Sequence, residues 1–345
     1  MNSVTKVILG SKDLEYSEDT GLGYIIGEVT EILNGPGLFI LKYSAMHEHR
    51  DYKILQKRLN DIYGKKTSTQ LTFNQMARYN AGCYAIYHHN NLNYVRVKII
   101  PNGEITSSTN PLDFKLFLVD FGVQIFSFDR TKIFTYPDRT SNRNNLVELL
   151  RLPECSFPCF LTGIKPANYT TRYPKIVCDR FSDLIKLNTK IAVNIFLPVK
   201  KQRSRLDPSM RKKYAGMIPL SIDVKANANG YNTLSTLGEE MRKENTALLD
   251  ETATFTIDLS PCEKVLIGKP TKIYPVEYLF INSGSSGKRG PNKFYNNYFT
   301  VCQELPTEFV VEMPAKINTP NPPVPKPKES SNPSSPRSFN DSNGK

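Results

Sequence analysis

Aromatic side chains placed beside a sharp turn are the residues of this chain best suited to chemistry. In the stretch KLFLVDFGVQIFSFDRTKIFTYP, residues 115–137, an apolar run ends in Asp120-Phe121-Gly122, turns, and resumes as alternating aromatic and polar residues. Aromatic faces carry negative quadrupole density and attract cations. Phe121 therefore suits recognition of a ligand rather than the making of bonds. Asp120 is expected to accept hydrogen bonds in the turn rather than to act as a catalytic acid. Nuclease chemistry needs clustered carboxylates for a metal and arginines for the phosphate, yet Glu28, Glu31, Asp207 and Asp223 are scattered. There is no Gly-rich phosphate loop, no GxSxG elbow and no Cys/His pair in a nucleophile context. Cys155 and Cys159 come nearest to a metal pair, but His47, His49, His88 and His89 supply no second half at zinc spacing. The six cysteines are expected to be reduced, mostly buried thiols, and the reading calls for no enzyme activity, no metal and no cofactor.

Forty-five Lys and Arg against thirty-three Asp and Glu give a formal net charge of +12. Such an excess attracts anions non-specifically and says nothing of fold. The densest basic stretch is Lys200, Lys201, Arg203, Arg205, Arg211, Lys212 and Lys213, between two strand-like segments. Phosphate contacts would be natural there, so RNA binding is the alternative function. No aromatics interleave with these residues, and a solvated loop is the plainer reading. No run of ~18 apolar residues exists to span a membrane, and the N-terminal apolar stretch is too short for a secretory signal. A soluble intracellular protein is expected.

The elements that must position the aromatics can be read from periodicity. Residues 23–30 and 37–43 flank the Asn34-Gly35-Pro36-Gly37 turn and read as a hairpin. A helix is predicted over 48–63, with Tyr52, Leu55, Leu59 and Ile62 on its buried face and Gly64 as its cap. Segments 82–87, 94–100, 115–121, 124–128 and 132–134 are strand-like, a count that suits a small barrel. Beyond them come a helical linker at 144–150, a helix at 177–187, strands at 190–199 and 217–226, and a helix at 233–249. Residues 252–315 contain the β-like runs ATFTID, YLFINS, FTVCQ and EFVVEM. The Pro, Ser and Asn-rich end has too few large apolar residues to offset the entropy of ordering, which predicts disorder over 317–345.

The run ending Asp120-Phe121-Gly122 resembles the core of a Tudor domain. A second passage, Leu152-Pro153 followed by Cys159-Phe160-Leu161-Thr162-Gly163-Ile164-Lys165-Pro166, resembles the segment by which extended Tudor domains leave their barrel. The resemblance implies a mainly β fold with helices, α+β in class: a Tudor β-barrel (78–137) inserted in a staphylococcal-nuclease-like OB fold (20–65 and 155–251). The whole unit would span 20–251, followed by an accessory β segment or degenerate module (252–316) and a disordered tail.

The same resemblance implies a site. In the family four aromatic walls and an Asn hold a methylated arginine. The matching positions here are Tyr87, Val95, Leu118 and Phe121, with Val123 in place of the Asn. Aliphatic residues thus replace two walls and the polar contact, and each lost cation–π contact is worth ~0.5–2 kcal/mol, so methylarginine selectivity is expected to disappear. Tyr94 reaches the site only by a change of register. Val95 and Leu118 are expected to line a partly exposed apolar groove. Alternation within FLVDF puts Leu118 and Phe121 on opposite faces unless the strand bends before Gly122. The family further implies a non-catalytic scaffold that binds a protein, of the Argonaute/PIWI kind, in small-RNA silencing within cytoplasmic, perinuclear germ granules.

Overall fold

The computed structural model describes residues 5–9, 12–16, 24–65, 70, 83–101, 114–136, 144–167, 171–196, 219–228, 234–250 and 310–313. Two short strands, β1 (Thr5–Leu9) and β2 (Lys12–Tyr16), form an antiparallel hairpin that the sequence did not announce.

The expected hairpin is present as β3 (Tyr24–Ile32) and β4 (Phe39–Lys42). After a short helix α1 (Ala45–Glu48) comes α2 (Arg50–Tyr63), which buries Tyr52, Leu55, Leu59 and Tyr63. The next strands are β5 (Cys83–His89), β6 (Asn93–Pro101), β7 (Phe114–Leu118), β8 (Val123–Ile125) and β9 (Ile133–Thr135). They form one antiparallel sheet in the order β8-β7-β6-β5-β9, the Tudor-type barrel.

Helix α3 (Asn144–Leu149) leads back to β10 (Ser156–Leu161) and β11 (Ile164–Lys165). Then follow α4 (Lys175–Leu184), β12 (Lys190–Phe196) and β13 (Leu220–Ala228). Strands β10, β4, β3, β12 and β13 are hydrogen-bonded in that order, and a parallel β10–β13 pairing returns to the start. The result is a closed five-stranded OB-like barrel, assembled from chain before and after the Tudor-type sheet. Its core holds Val29, Phe39, Leu41, Phe157, Phe160, Phe181, Val193, Ile195, Ile222 and Val224. Phe39 and Phe181 meet with centroids 5.2 Å apart.

The long helix expected over 233–249 is a correction. Residues Leu234–Thr236 are instead a strand, β14, paired with β13, and the helix α5 covers only Leu237–Lys243. Thr236 and Glu239 form a reciprocal capping box that starts the helix there. Asn245, at φ +60°, breaks it, and β15 (Leu248–Leu249) pairs with β11. Of the runs expected beyond residue 252, only the end of EFVVEM is described: β16 (Val311–Met313) joins β13 in parallel. The remaining runs and the C-terminal stretch lie outside the described residues.

Candidate functional site

The Asp120-Phe121-Gly122 turn is the junction of the two barrels. Strand β7 stops at Leu118, whose carbonyl accepts hydrogen bonds from the backbone N–H of both Phe121 and Gly122. This is the bend the alternation required, and it lets Leu118 and Phe121 pack on the same cluster. Gly122 adopts φ +70°, and a Cβ there would lie 2.4 Å from Thr30 Oγ1. Thr30 sits at an irregularity of the β3–β4 register and donates its hydroxyl to the Gly122 carbonyl at 2.9 Å.

Asp120 is fully buried and meets Arg96, also fully buried, through Nε–Oδ2 at 2.9 Å and Nη2–Oδ1 at 2.5 Å. Arg96 donates further to the carbonyls of Leu150, Leu152 and Pro153. The Cys155 backbone N–H donates to Asp120, and His47 Nε2 donates to the Asp120 carbonyl at 2.8 Å. Burial holds the His47 imidazole below its ordinary pKa and so keeps it neutral. Burial by itself would lower the guanidinium pKa of Arg96, but Asp120 more than reverses this and raises it well above normal. Two residues along β6, on the same face, Lys98 meets Glu154 at 3.2 Å, and Tyr84 donates to the same carboxylate. Asp120 is thus an acceptor that ties the Tudor-type sheet to the chain leaving it. Cys155 and Cys159 are buried free thiols in the same region, and burial raises both thiol pKa values. Among the described residues no group of three His, Cys, Asp or Glu side chains is placed to hold a metal.

The cage positions fall differently from the expected groove. Val95 is 0% and Leu118 2% exposed; together with Ala85, Tyr87, Val97, Ile99, Leu116 and Ile133 they fill the barrel interior. Strand alternation turns both positions to the inner face of the sheet. Tyr87 lies directly opposite Val95 in the ladder, and its ring contacts Phe128 edge-on at 6.4 Å and His89 at 6.2 Å. Tyr94 points to the other face of β6. There it stacks with His88 at 4.7 Å and packs with Tyr63 and Phe134 against α2.

Half-buried Phe121 meets the edge of His47 at 5.1 Å, and Lys42 Nζ lies 5.8 Å from its centroid. Lys42 is paired with Glu28 at 3.1 Å. Val123, at the position of the family's Asn, is 40% exposed, and Phe126 nearby is 71% exposed with Lys115 Nζ 5.6 Å from its ring. Phe128, Lys42 and His47 were not among the binding-site residues expected from sequence. For Phe128 the signal was the Phe126-Ser127-Phe128 alternation, which turns one ring outward and the other inward; Lys42 and His47 carried none. The seven basic residues between Lys200 and Lys213 lie outside the described residues.

A Tudor-type five-stranded sheet carried between α2 and β10 of a closed OB-like barrel is the arrangement the resemblance implied. The topology is the one that the resemblance to extended Tudor domains implies. No family model and no curated protein matches the sequence. Among solved structures, the extended Tudor domain TD3 of mouse TDRD1, in complex with a MILI peptide containing dimethylarginine, superposes with TM-score 0.43 at 15% identity, covering 68% of this chain and 96% of that one. The extended Tudor domain of Drosophila melanogaster Papi, bound to a Piwi N-terminal peptide, gives TM-score 0.41 at 15% identity over 66% of this chain and 99% of that one. That of human TDRD1 with a symmetrically dimethylated peptide gives 0.42 at 14%, over 66% and 91%.

Proposed function

We propose that this extended Tudor chain is a non-catalytic adaptor that binds a partner protein at the rim of its Tudor-type barrel without requiring arginine methylation. The observation that carries the reading is the state of the Phe121 ring. Its cationic neighbour is the chain's own Lys42 Nζ, 5.8 Å from the centroid, while exposed Val123 offers no amide to a guanidinium. The ring thus already has a cation beside it, one whose charge is paired with Glu28. Phe121, Val123 and Phe128, above the buried Tyr87, still present a partly aromatic rim that suits an arginine stem or a small apolar anchor from an extended peptide. Residues 20–251 act in this reading as one unit, with 252–316 accessory to it.

The partner class and setting come from the family resemblance, supported by the MILI and Piwi peptides held by the similar domains: an Argonaute/PIWI-type protein, in cytoplasmic, perinuclear germ granules of a small-RNA pathway. Calorimetry with matched Arg/Gly-rich peptides, unmodified and symmetrically dimethylated, tests the site. Equal affinities are expected. A ten-fold preference for the dimethylated form, ~1.4 kcal/mol, abolished by Tyr87→Ala, would overturn methylation independence. Titration of single-stranded RNA at two salt concentrations tests the alternative, in which the basic 200–213 stretch binds RNA.

A further inference from the structure

Strand β13 has two different halves. Its first residues, Leu220–Val224, are held between β12 and β10 within the closed barrel. Its last residues run beyond the barrel: Ala226 and Asn227 pair on one edge with β14 and on the other with β16. The β16 edge is filled from far along the chain, since residues 251–309 separate β15 from the returning segment. The seat is made by alternation: Val311 and Met313 are 6% and 8% exposed and join the OB-like core, while Glu312 faces outward. Val310 is buried too, at 7%.

The ladder covers only Ala226↔Val311, Asn227↔Glu312 and Ala228↔Met313. At its centre the side-chain fit is incomplete. Asn227 Nδ2 donates to Glu312 Oε1 at 3.4 Å, but Asn227 Oδ1 is buried with no hydrogen-bond partner among the described residues. A parallel strand needs a crossover connection of a dozen or more residues, and 229–310 far exceed that. Of these, residues 251–309 follow β15, and at up to ~3.3 Å per residue a connector of that length is ample to reach the same edge on a neighbouring molecule.

We propose that the Ala226–Ala228 edge is a strand-addition site that takes the Val310–Met313 segment of a second copy of this chain. The contacts made in cis and in trans are identical, so exchange changes only the connection between the strand and its seat, the condition under which exchange of an element between protomers costs little. At low concentration the cis strand wins, because a tethered segment has an effective concentration near the millimolar range. Where many copies crowd together the trans strand competes. Reciprocal exchange closes a dimer and one-way exchange extends a chain, giving self-association that does not involve the Tudor-type rim.

The test uses two full-length variants, Asn227→Cys and Glu312→Cys, whose new thiols face each other only when β16 of one chain sits on β13 of the other. Equal mixtures are oxidised mildly at ~5 μM and ~500 μM, the higher of which approaches the tethered range, and disulfide-linked dimers are counted against each variant alone. Dimers specific to the mixture that rise at least ten-fold with concentration, and fall when excess peptide of residues 306–316 is added, are the expected result. The Asn227→Cys/Glu312→Cys double variant serves as the control for seating. If it links within monomers while the mixture yields no dimers above the single variants at either concentration, the strand does not exchange and the proposal fails. If the double variant links neither within nor between molecules, β16 is not seated on β13 and the proposal fails at its first step.

Discussion

Arg96 on β6 and Asp120 in the turn after β7 are fully removed from solvent and joined by two N–H···O contacts, while the remaining guanidinium hydrogens hold the carbonyls of Leu150, Leu152 and Pro153. A single arginine thus fixes the turn and the exit strand of the Tudor-type sheet to each other. Removing one partner of a buried pair leaves an uncompensated charge and typically costs ~3–5 kcal/mol.

Asp120→Asn is therefore expected to lower unfolding free energy in urea by ~3 kcal/mol or more. Arg96→Lys should do comparable damage, because an ammonium cannot span the carboxylate and three carbonyls as a planar fork does. Losses below ~1 kcal/mol, the scale of exposed pairs, would show that the pair does not hold the junction.

Gly122→Ala is expected to destabilise by ~2 kcal/mol or more, combining left-handed φ with a clash against Thr30 Oγ1. Thr30→Gly in the same chain removes the clash but not the φ penalty. The double variant should then lose less than the sum of the singles in denaturation midpoints; strict additivity would show that the two residues do not meet.

Restoring the missing amide should not by itself restore a methylarginine reader. With Val95 and Leu118 inside the barrel and Lys42 beside Phe121, Val123→Asn is expected to leave the affinities for dimethylated and unmodified peptides within about two-fold, or ~0.4 kcal/mol. Calorimetry on the variant checks this, and a large gain for the dimethylated peptide would mean that the rim is closer to a working cage than its side chains indicate.

Asp223 on β13 is partly buried beside Glu239, and desolvation first, then Glu239, pushes its carboxyl up to about 6. The folded chain then holds a proton that the unfolded chain, near the ordinary value of 3.8, has released. Between those two values stability falls as pH rises, and the cost of the charged form is fully present above about 6. Asp223→Asn should accordingly raise the melting temperature at pH 7.5 by several degrees, since ~1 kcal/mol shifts a mid-sized domain by ~2–4 °C, and the gain should vanish near pH 3.5. A constant difference at both pH values would assign the effect to packing.

Much of the fold was written locally. The Asn34–Gly37 turn, the helical spacing of Tyr52, Leu55 and Leu59, and the alternation of the five barrel strands are short-range patterns, and each appears where the residues put it. Even the helix that was misjudged carried its correction in sequence, because Thr236 and Glu239 have capping-box spacing. What the chain alone could not decide is which faces meet. Val95 and Leu118 would be groove or core according to how far the strand rim extends, and tertiary packing makes them core. Arg96 and Glu154 look like ordinary solvated charges until two barrels close over them, and Lys42 and His47 reach Phe121 from a hairpin and a helix far away in the chain. The return of Val311–Met313 to β13 is equally invisible to local reading, because strand pairing is set by backbone hydrogen bonds that any residue but proline can make. Local periodicity names the elements. Long-range burial decides which of their charges and rings are neighbours.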